Sequence, residues 1–513
     1  FSTIPVYSGK YYWEFICDSN TNFFAGLAGI GGRSDPTVRI DVQDVFTLGG
    51  TSGSASTTDA ASDKTDHNGG FTGSILNAGD IIGIALDATA KTCDVYLNNT
   101  KKATFNNFTH AGPYIWGHDR NGSGSEQFHY NFGSRAFNYS APAGYKCLCT
   151  TNLPDTFSGD QLNNPSKYFD ILQYIGTGDA DNAIRGLDFT PDFVWIKNRS
   201  HQNNYNELFD QVRGVAKTIW TNTTGAQTDY SGGDNSLRSF DSGGFTVNDD
   251  SQGAYGVNGA PGSLYSGDSK FVAWCWDAGT AAATASTDGS VTPSGQWKNN
   301  TAGFSISKFT GTGSTITVGH GLSAAPELIL QKCTTHSANW NVYHKSLGNT
   351  KRLVFNTYGP QETGYWNSTD PTNTVVSMTA DIAENTKDYI MYCWTPINGY
   401  SAFGTYEGNG SADGPFIYTG FRPRYIFYKN ADTDGRNWFI QDTARSIHNN
   451  SNEFLRVNDP GSEGNVLDGS GGDLLFLSNG FKWTTDNNDQ NNNGDSFVYA
   501  AFAEHPFKTA RAR

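Results

Sequence analysis

A block of sequence recurs three times in the C-terminal two-thirds of the chain. Each copy ends in an apolar run that has the length and composition of a buried strand, at residues 271–276, 389–394 and 497–502. Each copy also contains a proline followed by an apolar run and a lysine, at residues 191–197, 326–332 and 423–429. Repetition of this kind is typical of arrays, which usually display a surface rather than perform chemistry. The repeat therefore favours a modular display protein over an enzyme.

The composition predicts β-structure with long polar turns. Aromatic residues make up 14% of the chain, which also has 59 glycines and only 2 methionines. Aromatic side chains favour strands, whereas Gly, Asn and Ser favour turns. At 513 residues the chain is too long for one ordinary core. We therefore expect about three to five domains.

Charge and cysteine usage narrow the classes of partner. The formal net charge of −15 argues against nucleic acid and against anionic membranes. No apolar run reaches the ~20 residues of a membrane span, and no signal peptide is visible. The 7 cysteines are an odd number without paired spacing, which indicates reduced, buried thiols and synthesis in a reducing compartment. Because the sequence opens close to a strand, we expect that an N-terminal piece is missing.

Residues 1–148 form a first unit in which strand-like runs alternate with glycine turns. The diagnostic runs in chain order are residues 9–14 (GKYYWE), 26–29 (GLAG), 79–83 (GDIIG), 95–99 (VYLNN) and 131–137 (NFGSRAF). In this order they resemble a SPRY domain, and the resemblance covers most of the unit. It implies a bent β-sandwich of two antiparallel sheets that binds partners through its loops and does not catalyse. The sequence departs from that family at residues 49–70, a low-complexity stretch that predicts a long surface loop.

The rest of the chain divides into three related modules and their connectors. A polar connector spans residues 149–167, and a linker rich in Ala, Thr and Ser spans residues 280–303. The modules occupy residues 168–279, 304–398 and 401–513. Each has strands of about five to eight residues separated by turns, which suits a β-sandwich of about 100 residues. A short helix over residues 208–218 is the alternative at one point, although Gly214 disfavours it.

These copies resemble a repeat found in tail and tail-fibre proteins of bacteriophages, where it often follows a SPRY-like or lectin-like domain. The most diagnostic residues are 193–200 and 208–214 in the first copy and 497–507 in the third. The resemblance implies a virion component at or near the end that contacts the host. It assigns no role to individual residues.

Two aromatic loops are candidate ligand-binding sites. In the first, Trp116 is followed by His118, Asp119 and Arg120. An aromatic ring beside such groups could stack on a sugar face while the polar groups bind the sugar hydroxyls. In the second, Trp366 lies among Gly, Tyr, Asn, Ser and Thr. A partly buried loop anchor is the alternative role for each tryptophan.

The signatures of metal binding and catalysis are weak. Residues 489–495 resemble the first half of a calcium loop, but Ala500 stands where a bidentate Glu is needed. A polar hairpin turn is the favoured interpretation, and we expect no metal and no cofactor. No Gly-x-Ser-x-Gly motif presents a serine nucleophile. We predict that the chain is not an enzyme, although a carboxylate pair from distant loops stays an open alternative.

The sequence as a whole predicts an all-β virion structural protein, in a tail fibre or spike that binds a host glycan or surface protein through its loops. We expect other virion proteins as partners and a homotrimer, because symmetric copies multiply weak contacts. The chain would be made in the host cytoplasm and incorporated in the tail or an appendage rather than the capsid. Two alternatives stay open: a capsid-decorating or other tail structural protein without a receptor, and a polysaccharide-degrading tailspike. The missing signal peptide and the unpaired cysteines argue against a secreted bacterial adhesin.

Overall fold

The computed structural model of the chain describes residues 6, 8–17, 23–29, 46–49, 55–57, 63–66, 78–106, 108, 114–120, 128–133, 135–148, 164–231, 236–248, 256–260, 269–281, 284–446, 451–465 and 474–504. Over the residues that the structure describes, the protein is nearly all β, with 46% in strands and 4% in helices, which confirms the predicted fold class. Within these ranges no helix is long and apolar enough to cross a membrane. The chain forms two compact units, residues 1–159 with 507–513, and residues 160–506.

Unit 1 is a β-sandwich. Its strands are β1 Lys10–Cys17, β2 Phe23–Gly29, β3 Phe46–Gly49, β4 Ala55–Thr57, β5 Asp63–Asp66, β6 Ile81–Asp87, β7 Thr92–Leu97, β8 Thr100–Asn106, β9 Tyr114–Arg120, β10 Phe128–Asn131 and β11 Lys146–Cys147. One sheet has the order β10-β1-β6-β7-β8-β5, with β11 parallel to β1, and the other has the order β4-β3-β2-β9. The two sheets meet where Trp13 packs on Trp116, with 5.4 Å between ring centroids.

The buried carboxylate of Glu14 ties down the chain that follows β10. Glu14 is 0% exposed and accepts the main-chain N–H groups of Asn138 at 2.8 Å and Tyr139 at 2.9 Å. A buried carboxylate requires such donors, since it has lost its hydration. The acidic residue that ends the GKYYWE run therefore holds two distant parts of the unit together.

The prediction of one long loop at residues 49–70 is wrong where the structure describes that stretch. β4 pairs with β3, and β5 pairs with β8 at the edge of the larger sheet. Polar residues with few apolar neighbours suit an edge strand, because one side of an edge strand faces solvent. The composition alone therefore did not distinguish an edge strand from a loop.

Unit 2 contains three modules; modules 1 and 3 have the same strand plan, whereas module 2 has eight strands instead of six in its larger sheet and two instead of three in its smaller sheet. Module 1 has β12 Phe169–Ile175, β13 Asn182–Arg185, β14 Phe193–Asn198, β15 Glu207–Asp210, β16 Lys217–Trp220, β17 Thr228–Asp229, β18 Leu237–Asp241, β19 Gly244–Val247 and β20 Lys270–Trp276. Module 2 has β21 Thr280–Ala281, β22 Gly295–Asn299, β23 Phe304–Thr310, β24 Ile316–Gly319, β25 Leu328–Cys333, β26 Asn341–His344, β27 Lys351–Val354, β28 Glu362–Thr363, β29 Val375–Met378 and β30 Asp388–Trp394.

Module 3 has β31 Ser401–Glu407, β32 Phe416–Tyr418, β33 Pro423–Asn430, β34 Trp438–Asp442, β35 Glu453–Arg456, β36 Gly464–Asn465, β37 Leu474–Leu477, β38 Gly480–Trp483 and β39 Ser496–Ala503. Short helices lie at Pro165–Lys167, Lys345–Leu347, Ala380–Ile382 and Asn488–Asn491. The region predicted as either helix or strand is β15, a turn and β16. In that turn Gly214 has a φ of +100°, which no helix contains.

The closing strand of each module is the centre of its larger sheet. β20 lies between β12 and β14, β30 between β23 and β25, and β39 between β31 and β33. A smaller sheet packs on one face of each larger sheet, with the orders β13-β19-β18, β24-β29 and β32-β38-β37. Strands that are covered on both faces are apolar along their whole length, which explains the three continuous apolar runs.

The second face of each larger sheet enters one core that all three modules share. Alternate residues of a strand point to opposite faces. In β20, Ala273 and Cys275 enter the core of module 1, whereas Trp274 and Trp276 enter the shared core. The other closing strands contribute Ile390, Tyr392, Trp394, Val498, Ala500 and Phe502 to the same core. Each module is thus a sandwich of two sheets, as predicted, but the three modules form a single domain.

The predicted linker at residues 280–303 is wrong. β22 pairs with β23, and β21 extends the same sheet. Gln296 of β22 is 4% exposed and donates to Ser307 Oγ and to the main-chain oxygen of Gly319, both at 2.9 Å. Trp297 packs against the shared core. The Ala/Thr/Ser composition concealed two strands whose contacts lie in distant parts of module 2.

Candidate binding surface at the module seams

Each module reaches its neighbour through a short crossover segment. We define the crossover segments as residues 223–227, 357–361 and 459–463. Each follows an asparagine whose side-chain oxygen accepts a main-chain N–H from within the same module. The accepting atoms are Asn222 Oδ1, Asn356 Oδ1 and Asn458 Oδ1. They accept the main-chain N–H of Asn206 at 3.0 Å, of Trp340 at 2.8 Å and of Trp438 at 2.8 Å, respectively. The same bond in all three copies starts the crossover segments at equivalent points.

Main-chain hydrogen bonds close the three modules into a ring. In every copy the fifth residue after the asparagine donates its N–H to a carbonyl oxygen of the next module. The bonds are Gln227 to Thr334 at 3.0 Å, Gln361 to Ala431 at 2.8 Å and Glu463 to Arg199 at 2.9 Å. Module 1 therefore contacts module 2, module 2 contacts module 3, and module 3 returns to module 1. This head-to-tail arrangement closes after three copies and is a pseudo-threefold ring within one chain.

Side chains repeat the same cyclic pattern. Trp340 donates its indole N–H to the main-chain oxygen of Trp220 at 2.9 Å, and Trp438 donates to that of Val354 at 3.0 Å. At the equivalent position in module 1, the amide of Asn206 donates to the main-chain oxygen of Arg456 at 3.1 Å. Two different residue types thus satisfy the same acceptor position, which lies two residues before the asparagine in each copy.

The lysine of each proline-led run is buried at a seam. Lys332 Nζ donates to the main-chain oxygen of Thr224 at 3.0 Å, Lys429 Nζ to that of Tyr358 at 3.3 Å, and Lys197 Nζ to that of Asp459 at 3.1 Å. Burial lowers the pKa of Lys197 to about 7 and the pKa values of Lys332 and Lys429 to about 8. The recurring lysine is thus a seam residue, because its ammonium group is the donor that reaches the preceding crossover segment.

A buried acid at the end of the second hairpin strand completes two of the seams. Asp210 pairs with Arg213 at 2.5 Å and accepts the hydroxyl of Tyr392 from module 2 at 2.6 Å. Asp442 pairs with Arg445 at 2.6 Å and accepts the indole N–H of Trp274 from module 1 at 3.1 Å. The equivalent residue of module 2 is His344, whose Nε2 contacts the main-chain oxygen of Tyr499 in module 3 at 3.1 Å.

The seam between modules 2 and 3 presents an exposed aromatic ring. Tyr358 is 44% exposed, and its hydroxyl donates to Asp459 Oδ2 at 3.4 Å. Partial burial and the Asp459 carboxylate raise the pKa of Tyr358. Later in the same crossover segment, the amide of Gln361 donates to Asp432 at 2.9 Å. An exposed aromatic face beside a carboxylate can stack on a sugar ring and bind its hydroxyls.

The contact between Tyr358 and Asp459 also shows where this surface lies in the ring. Both residues belong to crossover segments, in modules 2 and 3. Equivalent segments of neighbouring copies can touch only close to the axis that relates the copies. The crossover segments therefore converge at one end of the pseudo-threefold axis, and the candidate surface lies there.

The predicted contact loop around Trp116 is wrong. Residues 114–120 are strand β9, and Trp116 is 2% exposed in the core of unit 1. A ring packed between two sheets offers no face to an external sugar. His118, Asp119 and Arg120 lie on the same strand. Their register partners on β2 are Ala25, Phe24 and Phe23.

Trp366 is a loop anchor rather than an exposed platform. The side chain is 1% exposed and packs edge-on against Tyr343, with 5.7 Å between ring centroids. Its neighbours Tyr365, Asn367 and Ser368 have φ values of 81°, 53° and 45°. The anchor alternative is thus confirmed. The buried indole holds a tight turn whose following residues 367–370 are exposed.

The calcium-loop residues have protein partners instead. Asp489 pairs with Arg436 at 3.1 Å, and Asp495 accepts bonds from Asn430, Thr433 and Asn492. Residues 488–491 form a short helix before β39 rather than the predicted hairpin turn. In the part of the chain that the structure describes, no group of three or more His, Cys, Asp or Glu is arranged to hold a metal ion.

Sequence reasoning missed Tyr358. The signal was available, since this tyrosine lies in a Thr-Tyr-Gly-Pro run, a turn composition in which a large aromatic residue is unusual. A turn does not by itself place a residue at an interface, however. Only the closure of the ring brings Tyr358 beside Asp459.

Comparison with known proteins agrees with the single-domain architecture. Residues 164–506 match, as one continuous stretch, a family described as a domain of unknown function, DUF7483. No curated protein matches the chain. The matched stretch coincides with the second compact unit, residues 160–506, which contains the three-module ring. Since it covers more than half of the sequence, the chain belongs to the DUF7483 family.

Proposed function

We propose that this protein is a structural and adhesive component of a bacteriophage virion, in a tail fibre, a spike or a similar appendage. It binds a glycan or a protein on the host surface. The observation that carries the proposal is the closed ring, because it holds three equivalent crossover segments at one end of a rigid body. Ring closure brings Tyr358 of one segment beside Asp459 of the next, and several copies of the chain in one appendage would repeat this contact and add avidity.

Two further features support the proposal. The sequence resembles repeats of phage tail proteins, and the exposed ring of Tyr358 lies beside the Asp459 carboxylate, a combination that suits a sugar-binding surface. The partners would be other virion proteins and the host ligand, and the net charge of −15 disfavours nucleic acid. A homotrimer of the chain would multiply the contacts again. The protein would be made in the host cytoplasm and incorporated in the tail or an appendage.

Glycan binding by the purified full-length chain tests the adhesive role. On an array of bacterial surface glycans we expect binding that falls about tenfold in Tyr358→Ala. The matched control is Phe416→Ala, because Phe416 is 45% exposed and Tyr358 is 44% exposed, and Phe416 lies on β32 outside the crossover segments. Equal losses in both variants would show that the crossover surface is not the binding site. A chain that binds no glycan and no host surface protein would contradict adhesion.

The position of the chain on intact particles tests the virion role. Antibodies raised against residues 168–279 should label the tail or its appendages. Label that is spread evenly over the capsid would instead identify a decorating protein. Reducing-end release from a bound polysaccharide would identify a degrading tailspike and would contradict a purely adhesive role.

A further inference from the structure

The three copies differ in one residue at an equivalent position of the proline-led strand. Asn198, Cys333 and Asn430 each pair with the first apolar residue of their closing strand, which is Phe271, Tyr389 and Phe497 in the three modules. Strand register therefore makes these three positions equivalent. Two modules carry asparagine there, and module 2 carries cysteine.

The two asparagines cap the turn that follows the strand. Asn198 Oδ1 accepts the N–H groups of Ser200 at 2.8 Å and His201 at 2.9 Å. Asn430 Oδ1 accepts the N–H groups of Asp432 at 3.0 Å and Thr433 at 2.9 Å. A thiol is a weak acceptor and cannot replace these bonds. The sulfur of Cys333 instead contacts side chains of the same two following residues, and its distance to the hydroxyl of Thr335 is 3.7 Å.

Cys333 instead forms one end of a thiol–imidazole–carboxylate relay. Its Sγ lies 2.9 Å from Nδ1 of His336, and Nε2 of His336 lies 3.2 Å from Oε1 of Glu384. The imidazole contacts a nucleophilic atom through one ring nitrogen and a carboxylate through the other. Activated cysteine nucleophiles have this arrangement of nucleophile, base and orienting acid. The two ring nitrogens face different partners, so the three groups do not converge on one metal ion.

The relay runs from a buried sulfur to two partly exposed side chains. Cys333 is 1% exposed, whereas the side chains of His336 and Glu384 are 29% and 46% exposed. His336 belongs to the short turn that follows β25. A reagent can reach the buried sulfur only if the bend at residues 334–336 opens, and the sulfur's partner in that bend, His336, is partly exposed.

We propose that Cys333, His336 and Glu384 form a thiol–disulfide exchange centre that takes a disulfide-bearing partner. His336 accepts the thiol proton, and Glu384 is a positioning residue that holds the imidazole. The Cys333 thiolate attacks one sulfur of the partner, forming a new S–S bond while the old S–S bond breaks. The departing thiolate receives the proton from His336. One disulfide becomes one mixed disulfide and one thiol, so no other oxidant is required.

Disulfide exchange fits this site better than acyl transfer. Acyl transfer needs N–H donors aimed at a developing oxyanion. The neighbouring main-chain N–H groups of Thr334 and Asp388 already donate to the Asp388 oxygen at 2.8 Å and to Thr335 Oγ1 at 3.1 Å. Attack on a disulfide needs a thiolate and a proton for the leaving group, and the relay supplies both. The inference does not depend on the proposed adhesive function.

The test uses the full-length chain with glutathione disulfide as the probe, and peptide mass spectrometry identifies which cysteine carries the adduct. Cys393 is the internal reference, because it is a buried thiol of the same module whose pKa burial raises. At pH 7 we expect Cys333 to react at least about tenfold faster than Cys393. His336→Gln should slow the reaction of Cys333 about tenfold. Cys333→Asn, which carries the residue of the other two modules, should fold and lose the adduct.

The pH profile separates activation of the thiol from simple exposure. Between pH 8 and pH 6 the rate at Cys333 should fall more steeply in His336→Gln than in the wild type, because the variant has no base beside the thiol. Tyr389 and Lys332, which also interact with the Cys333 sulfur, are common to both proteins. Glu384→Gln, at a half-exposed position, should give an intermediate profile without loss of folding. Equal rates at Cys333 and Cys393, or an unchanged profile in both variants, would overturn the proposal.

Discussion

Trp438 of module 3 donates its indole N–H to the main-chain oxygen of Val354 in module 2, over 3.0 Å. The indole is 0% exposed, so the bond satisfies a buried donor and an acceptor that belong to different modules. Trp340 makes the same bond to Trp220 of module 1. The modules are therefore joined by specific polar contacts in addition to their shared apolar core.

Removing the indole N–H of Trp438 should weaken the seam. Trp438→Phe leaves the oxygen of Val354 without this donor, and Trp366→Phe is the control, because the Trp366 N–H has no hydrogen-bond partner among the described residues. We expect the seam variant to lose about 1–3 kcal/mol more free energy of unfolding than the control. Urea denaturation measures both, and equal losses would contradict the role of the bond.

Removing a buried acid at a seam should be costly. Asp210→Ala leaves the guanidinium of Arg213 and the hydroxyl of Tyr392 without their partner, in a pair whose side chains are 0% and 1% exposed. We expect a loss of about 3–5 kcal/mol in the free energy of unfolding.

Asp413→Ala is the matched control for the buried pair, because Asp413 is 88% exposed and its partner Lys482 is 28% exposed. For that variant we expect little change in the free energy of unfolding. Thermal and urea unfolding compare the two variants. A loss of similar size in both would show that the buried pair does not support the seam.

Acid should weaken the contact between modules 2 and 3. Burial lowers the pKa of His344 from 6.5 to about 4, and Nδ1 already accepts the N–H of Ser346 at 3.3 Å, so the folded protein holds this imidazole neutral. Between these two pKa values the unfolded chain binds the proton and the folded chain does not. Stability therefore falls as the pH drops from 6.5 to 4, by at most about 3 kcal/mol from this residue.

Unfolding of the wild type and of His344→Gln across that pH range measures the contribution of His344. The variant should have a lower free energy of unfolding near pH 7 and a flatter dependence on pH between 6.5 and 4. The other titrating groups are common to both proteins, so the difference between the two curves isolates His344. Parallel curves would contradict a neutral buried imidazole at this seam.

The three modules should unfold together. Because their larger sheets share one core, loss of one module exposes the inner faces of the other two. For the segment 160–506 we expect one calorimetric transition whose van't Hoff and calorimetric enthalpies agree, and a monomeric molar mass in solution. Two or three resolved transitions would contradict the shared core. A homotrimer of the complete protein would then depend on contacts outside the ring.

The repeat, the β-class and the closing strands were predictable from local patterns. Continuous apolar runs such as residues 271–276 indicate a strand covered on both faces whatever the partner is, and the recurring lysine at positions 197, 332 and 429 marks an equivalent place in each copy. The same patterns do not say what covers a face. The sequence therefore predicts that both faces of each closing strand are covered. It does not predict that one of the two faces packs into a core shared by all three modules.

Tertiary structure decided everything that depends on residues far apart in the chain. Trp116 and Trp366 lie in Gly-rich runs that are typical of exposed loops, but both are buried. Residues 295–299, which were predicted to be part of a linker, form a strand. The tertiary structure also placed Tyr358 beside Asp459, and Glu384 beside His336. Hydrophobic periodicity predicts which side chains are buried, because burial depends on the hydrophobicity of the side chain itself. Which groups it then meets depends on how the ring closes, and only the folded chain contains that information.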